Sequence, residues 1–153
     1  MRPRTFILAA LLIAAISPRA ALAHCEIPCG IYDDALRITL IREHIDTVEK
    51  SMKTIVSLSA EGEKNYNQLV RWITNKDEHA DEIQHIVSQY FMTQRIKPAA
   101  GPGAGHDAYV AKLTLLHQLL IEAMKSKQTL EQEHIDRMRT LVDSFEKLYF
   151  EKK

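Results

Sequence analysis

Residues 35–55 read ALRITLIREHIDTVEKSMKTI. Ile38, Ile41, Ile45, Val48, Met52 and Ile55 recur at alternating steps of three and four. That spacing gathers them on one narrow stripe of an α-helix, the seam geometry of a helix bundle. The residues between them are mostly charged or hydroxylic and suit a solvated face. Asp33 or Asp34 can cap the start, and the stretch around Glu61-Gly62 ends the helix.

The same period returns along the chain. A second helical segment is predicted from about Glu63 to Ile96. Leu69, Val70 and Ile73 form one apolar patch on it, and Ile83, Ile86, Val87, Tyr90 and Phe91 form another. The polar run Thr74-Asn75-Lys76-Asp77 between the patches marks a kink or a change of register. The Gly- and Pro-rich stretch from Pro98 to His106 is the one clear loop. Asp107 then caps a third helix whose face is Val110, Leu113, Leu116, Leu120 and Ala123. A fourth begins after Ser126-Lys127, with Glu131, Ile135, Met138, Val142, Phe145 and Tyr149 repeating the seam. No strand-like alternation of useful length appears. The fold class is all-α: an up-down-up-down four-helix bundle over 33–153, preceded by a short segment, 24–32, of different character.

Bulk composition narrows the function. The chain has 153 residues, with 20 basic and 20 acidic side chains. A zero net charge gives no support for a nucleic-acid partner, because backbone phosphates call for a basic excess. Two cysteines exclude a multi-disulfide scaffold.

Residues 1–23 have the form of a cleaved signal peptide. Arg2 and Arg4 precede an apolar run from Phe6 to Ile16, and Ala21-Leu22-Ala23 is an A-x-A cleavage pattern. The run is too short for a bilayer core, which needs about 20 residues. No second hydrophobic span follows. The expectation is an exported protein, periplasmic or extracellular, with no membrane attachment after cleavage and with His24 as its first residue.

That first residue matters chemically. Residues 24–32 read HCEIPCGIY. Cleavage would free an α-amine on His24, next to the Cys25 backbone nitrogen. A metal bound to both closes a five-membered ring, and the Cys25 nitrogen with its own thiolate closes another. The His24 imidazole can add an axial donor, and Cys29 can fold back through the Pro28 turn with a second sulfur. A planar set of two nitrogens and two sulfurs suits Ni(II) or Cu(II) better than tetrahedral Zn(II). The competing reading is a Cys25–Cys29 disulfide in an oxidising compartment. It would close only a small loop and leaves the His at the processed terminus without a purpose.

HCEIPCGIY resembles the nickel-binding hook of the nickel-type superoxide dismutases, H-C-x-x-P-C-G-x-Y at a processed N-terminus. It matches at His24, Cys25, Pro28, Cys29, Gly30 and Tyr32. The resemblance implies a four-helix bundle assembled as a homohexamer, with one nickel ion per subunit. It implies ligation by the His24 amine and imidazole, the Cys25 amide and thiolate, and the Cys29 thiolate. Superoxide would be the substrate, converted to dioxygen and hydrogen peroxide by Ni(II)/Ni(III) cycling. Tyr32 would order the small-anion pocket beside the metal. Family members usually carry Asp where this chain has Glu26, and some hold the axial imidazole with a Glu and an Arg from the helices. Glu43, Arg42 and Arg71 are candidates for that task. Two readings stand beside this one: a non-catalytic exported nickel or copper binding protein, and a helical bundle with a small disulfide.

One rival constellation can be tested on paper. Glu82-x-x-His85 and Glu131-x-x-His134 are the paired motifs of di-iron bundles. In an up-down bundle Glu131 lies near one end, and Glu82 lies roughly 30 Å from that end at 1.5 Å per residue. The two pairs cannot share a metal, so these residues are expected to be solvated or to pair helices. His44, His79, His106 and His117 show no compact ligand spacing and are expected at surfaces or interfaces.

Overall fold

The computed structural model describes residues 30–151, which divide between two units. Gly30, Ile31 and Tyr32 belong to the first and Asp33 onward to the second. The predicted signal segment 1–23 and the ligands His24, Cys25 and Cys29 lie outside the described residues.

From Asp33 the chain is helical, with no strand among the described residues. Helix α1 spans Asp34–Ala60, α2 spans Tyr66–His85, α3 spans Ala104–Gln128 and α4 spans Gln132–Phe150. A single 3₁₀ turn, Glu63–Asn65, leads into α2. Cross-helix pairs give the directions. Arg42 on α1 meets Asp143 and Glu146 on α4, while Glu49 meets Arg139. Asn75 on α2 donates to Ser51 on α1 at 2.9 Å, and Gln84 donates to the Leu120 carbonyl on α3. Each pairing is antiparallel, and the four helices close a bundle around one core. None of the described helices is long and apolar enough to cross a membrane.

The α1 seam behaves as its spacing predicts: Ile38, Ile41, Ile45, Val48, Met52 and Ile55 are all buried. On α4, Ile135, Met138, Val142 and Phe145 are buried as well. Asp33 caps α1, its side chain accepting from the Leu36 N–H at 2.9 Å.

Some expectations fail for physical reasons. Of the Leu69, Val70 and Ile73 patch, Leu69 is half-buried, while Val70 is 63 % exposed and Ile73 44 %, because α2 turns Lys76, Ala80 and Ile83 inward. Helix α3 starts at Ala104, after Gly103 at φ +134°, so Asp107 lies in the first turn rather than at the cap. Of its predicted stripe, Leu116 and Ala123 are buried and Leu113 and Leu120 pack half-buried against the core, joined by Leu119, Glu122 and Ser126, while Val110 is exposed. Thr74–Asp77 does not kink α2. Lys76 is instead buried and donates to the carbonyls of Ser126 at 2.7 Å and Lys127 at 2.6 Å. It satisfies two carbonyls that the end of α3 would otherwise leave unpaired.

The departure from α geometry in this segment comes later. Ile86–Arg95 continues α2 as a π-helix, with five-residue hydrogen bonds. It closes with the Ile96 N–H bonded to the Phe91 carbonyl at 2.8 Å.

Candidate metal centre and the bundle end joined to it

The hook is joined covalently to the bundle through the Tyr32–Asp33 peptide bond. Of the segment 24–32, the structure describes only the last three residues. Gly30 has φ +74°, a backbone region that only glycine enters without strain. Ile31 and Tyr32 are exposed.

The chain beyond Asp33 is anchored by one carboxylate. Asp34 accepts from Tyr90 Oη at 2.6 Å, Arg95 Nε at 2.8 Å, Arg95 Nη2 at 2.7 Å and Tyr149 Oη at 2.8 Å. One side chain in the first turn of α1 therefore ties down the end of the π segment and the end of α4. The π geometry makes this possible. Residues five apart on an α-helix point about 140° apart at 3.6 residues per turn. In a helix with five-residue hydrogen bonds they come round to nearly the same side, so Tyr90 and Arg95 reach one acceptor.

Aromatic rings support the latch from below. Phe91 meets Phe145 and Tyr149 edge-on, with centroids 5.0 and 5.6 Å apart. Arg37 sits over the Tyr90 ring at 4.9 Å.

The electrostatics follow from this packing. Burial pushes the Asp34 carboxyl up, but hydrogen bonds from Arg95, Tyr90 and Tyr149 outweigh it and hold the group below its usual range. Burial and then the bond to Asp34 push both tyrosine hydroxyls up to about 12. The hydrogen bond to Asp34 raises Arg95 further. The cluster thus keeps its anion, its cation and its neutral hydroxyls fixed across the ordinary pH range. Beside it lies a cleft of about 400 Å³ lined by Arg95, Lys97, Tyr109, Lys112 and Tyr149 among others.

The helical candidates for holding the axial imidazole are placed as follows. Arg42 is engaged by Asp143 and Glu146 on α4, which gives it a bundle-pairing role. Glu43 and Arg71 are exposed on α1 and α2.

A cleft of about 520 Å³ lies between α3 and α4 around Glu122, Lys125 and Arg137. Its chemistry is inward-looking. Buried Glu122 accepts from Lys125 at 3.0 Å, faces His134 Nδ1 at 2.7 Å and lies 3.6 Å from Arg137. Burial raises the Glu122 pKa, yet the bonds from Lys125 and His134 bring it below the usual range. His134 also lies 3.5 Å from Glu131. His134 thus pairs α4 with α3 through Glu122, while Glu82 and His85 on α2 face solvent, in line with the expectation that these residues are solvated or pair helices. Among the described residues, no group of three or more His, Cys, Asp or Glu could hold a metal.

Sequence reading missed the Asp34 latch. Its signal was a helix-start Asp together with tyrosines set in otherwise apolar seams, each hydroxyl requiring a partner. The family model for nickel-containing superoxide dismutase matches residues 19–153, taking in both the hook and the whole bundle. No curated protein and no solved structure matches the chain.

Proposed function

The chain belongs to the nickel-containing superoxide dismutase family, and on that premise we propose that its metal is held by the hook His24, Cys25 and Cys29. The protein is an oxidoreductase that uses nickel and acts on superoxide. The proposal concerns which residues do this and where.

The donor set fits the ion. The His24 amine and the Cys25 amide nitrogen, with the Cys25 and Cys29 thiolates, would offer two nitrogens and two sulfurs, and the His24 imidazole a further nitrogen. Two thiolates and a deprotonated amide push electron density onto the ion, which favours the oxidised state that aqueous nickel resists. Nickel held there would supply a one-electron redox centre for superoxide disproportionation, in which one superoxide is oxidised to dioxygen and a second, with two protons, is reduced to hydrogen peroxide.

The chain's own residues supply the setting. The thiols must be deprotonated to bind, so metal affinity rises with pH. Pro28 fixes φ and helps the turn that returns Cys29. Tyr32 offers a hydroxyl to order a small anion. The Asp34 latch holds the first turn of α1, to which the hook is bonded.

Two further parts of the proposal follow from the sequence. The signal-peptide pattern in 1–23 would export the protein and expose the His24 amine. The family resemblance favours a homohexamer, and the exposed stripe Tyr66, Val70 and Ile73 on α2 is an apolar face that such self-association could cover.

The observation that carries this reading is the family match spanning the hook as well as the bundle. Its test is to load the purified, processed protein with Ni(II) and record superoxide consumption and the EPR signal of the oxidised state. Nickel binding without dismutation would leave the non-catalytic metal-binding reading. Free thiols that bind no nickel would sink the hook assignment.

A further inference from the structure

Two histidines far apart in sequence meet across the α1–α2 seam. His44 Nδ1 lies 2.8 Å from His79 Nδ1, with ring centroids 5.0 Å apart and the planes inclined at 52°. Both rings are half-buried. Glu43 precedes His44, Glu82 stands one turn beyond His79, and both act electrostatically on His44.

We propose that His44 and His79 form a second metal site, a two-imidazole chelate for a divalent late transition ion. The distance between the nitrogens supports this. Two imidazole nitrogens bound at about 2.0–2.1 Å stand about 2.9 Å apart when cis at 90°, and about 3.4 Å apart at a tetrahedral angle. The observed 2.8 Å is also hydrogen-bond length, and with centroids 5.0 Å apart the two Nδ1 axes run nearly in line, so the rings must tilt to one side before both lone pairs reach one ion. The pair supplies two positions and water the rest, consistent with the absence of a third protein donor among the described residues.

Without metal, the same contact is a hydrogen bond in which one neutral ring donates Nδ1–H to the other's Nδ1 lone pair. On binding, that proton moves to Nε2 of its own ring, and both Nδ1 lone pairs face the ion. No proton is lost and no redox step is needed. Glu43 and Glu82 place negative charge beside the incoming cation. Because one ligand comes from each helix, the ion would pin α1 to α2.

The site is independent of the hook and does not rest on the dismutase reading. The test begins with nickel-loaded full-length processed protein and adds Ni(II), following uptake by calorimetry and elemental analysis. One further equivalent per chain is expected, absent in His44→Ala and in His79→Ala, with the first equivalent retained. Paramagnetic broadening should reach the His44 and His79 ring signals before those of His85, His106 and His117. His44→Gln, which keeps a polar side chain, guards against loss of fold in the alanine variant, with circular dichroism as the check. No further equivalent, or one that survives both alanine substitutions, overturns the proposal. If the hook itself takes up no nickel, the His-pair titration still reads on its own.

Discussion

Arg95 grips Asp34 with two nitrogens, Nε at 2.8 Å and Nη2 at 2.7 Å, and so joins the end of the π segment to the first turn of α1. The pair is mostly shielded, with side chains 27 % and 15 % exposed. A bidentate guanidinium–carboxylate pair in such a place is stronger than a surface ion pair. Removing the carboxylate would also strand the Arg95 charge and two tyrosine hydroxyls. Asp34→Ala should therefore cost about 2–4 kcal/mol, between a charged hydrogen bond and a broken buried pair. Tyr90→Phe and Tyr149→Phe should each cost about 1 kcal/mol. Denaturant unfolding of the three variants measures this, and an unchanged Asp34→Ala midpoint would remove the latch from the account.

The same cluster sets a pH profile. Asp34, Glu49 and Glu122 are all held below their usual range. A depressed carboxyl contributes stability that is present above its unfolded pKa, about 4, and lost as pH falls through the lower folded value. Tyr90 and Tyr149, raised to about 12, act at the other end. Their contribution is complete below about pH 10 and fades as pH climbs toward 12. Melting temperature should hold a plateau through neutrality and fall on both sides. Asp34→Asn should flatten the acid limb and also weaken the alkaline one, since the bond to Asp34 is the second cause of both tyrosine shifts. An Asp34→Asn profile parallel to wild type throughout would contradict the assignment.

Lys76 makes a narrower prediction. Its ammonium is buried and bonded to two carbonyls at the end of α3. Lys76→Met keeps most of the apolar stem but leaves those carbonyls without their donor. The expected loss is about 1–3 kcal/mol. It should be local, with amide exchange rising in the last turn of α3 while the amides of Ile41 and Ile45 stay protected. Uniform loss of protection would mean that Lys76 supports the core as a whole.

These sites show what single-sequence reasoning reaches and where it stops. The α1 seam was legible because all six of its apolar residues serve one core, so period and burial coincide. On α2 the signal divided. Val70 and Ile73 are as apolar as core residues, and nothing local says that they face outward. The π segment was invisible because the contact it serves is tertiary: one acceptor on α1, 56 residues from Tyr90 and 61 from Arg95. Lys76 read only as part of a polar run marking a kink or a change of register, because the two carbonyls it meets lie on α3. The proposed hook stood out because its candidate donors His24, Cys25 and Cys29 fall within six residues, close enough for chelate rings to be drawn from the sequence. The His44–His79 contact, 35 residues apart, could not be seen in the same way.

The hook makes the sharpest functional prediction. If the His24 amine and the Cys25 and Cys29 thiolates hold nickel, their loss should end dismutation while leaving the bundle intact. Among the described residues, the core that holds the helices together lies beyond Asp33. Cys25→Ser and Cys29→Ser should each reduce activity to background, with circular dichroism and unfolding midpoint within about 0.5 kcal/mol of wild type, as for a change outside the packed core. A single residue added before His24 should do nearly the same, because it converts the primary amine into an amide and removes one donor from the chelate ring. Mass spectrometry of the active protein must then find His24 first. A fully active protein that begins anywhere else, or an active Cys25→Ser variant, would place the metal elsewhere.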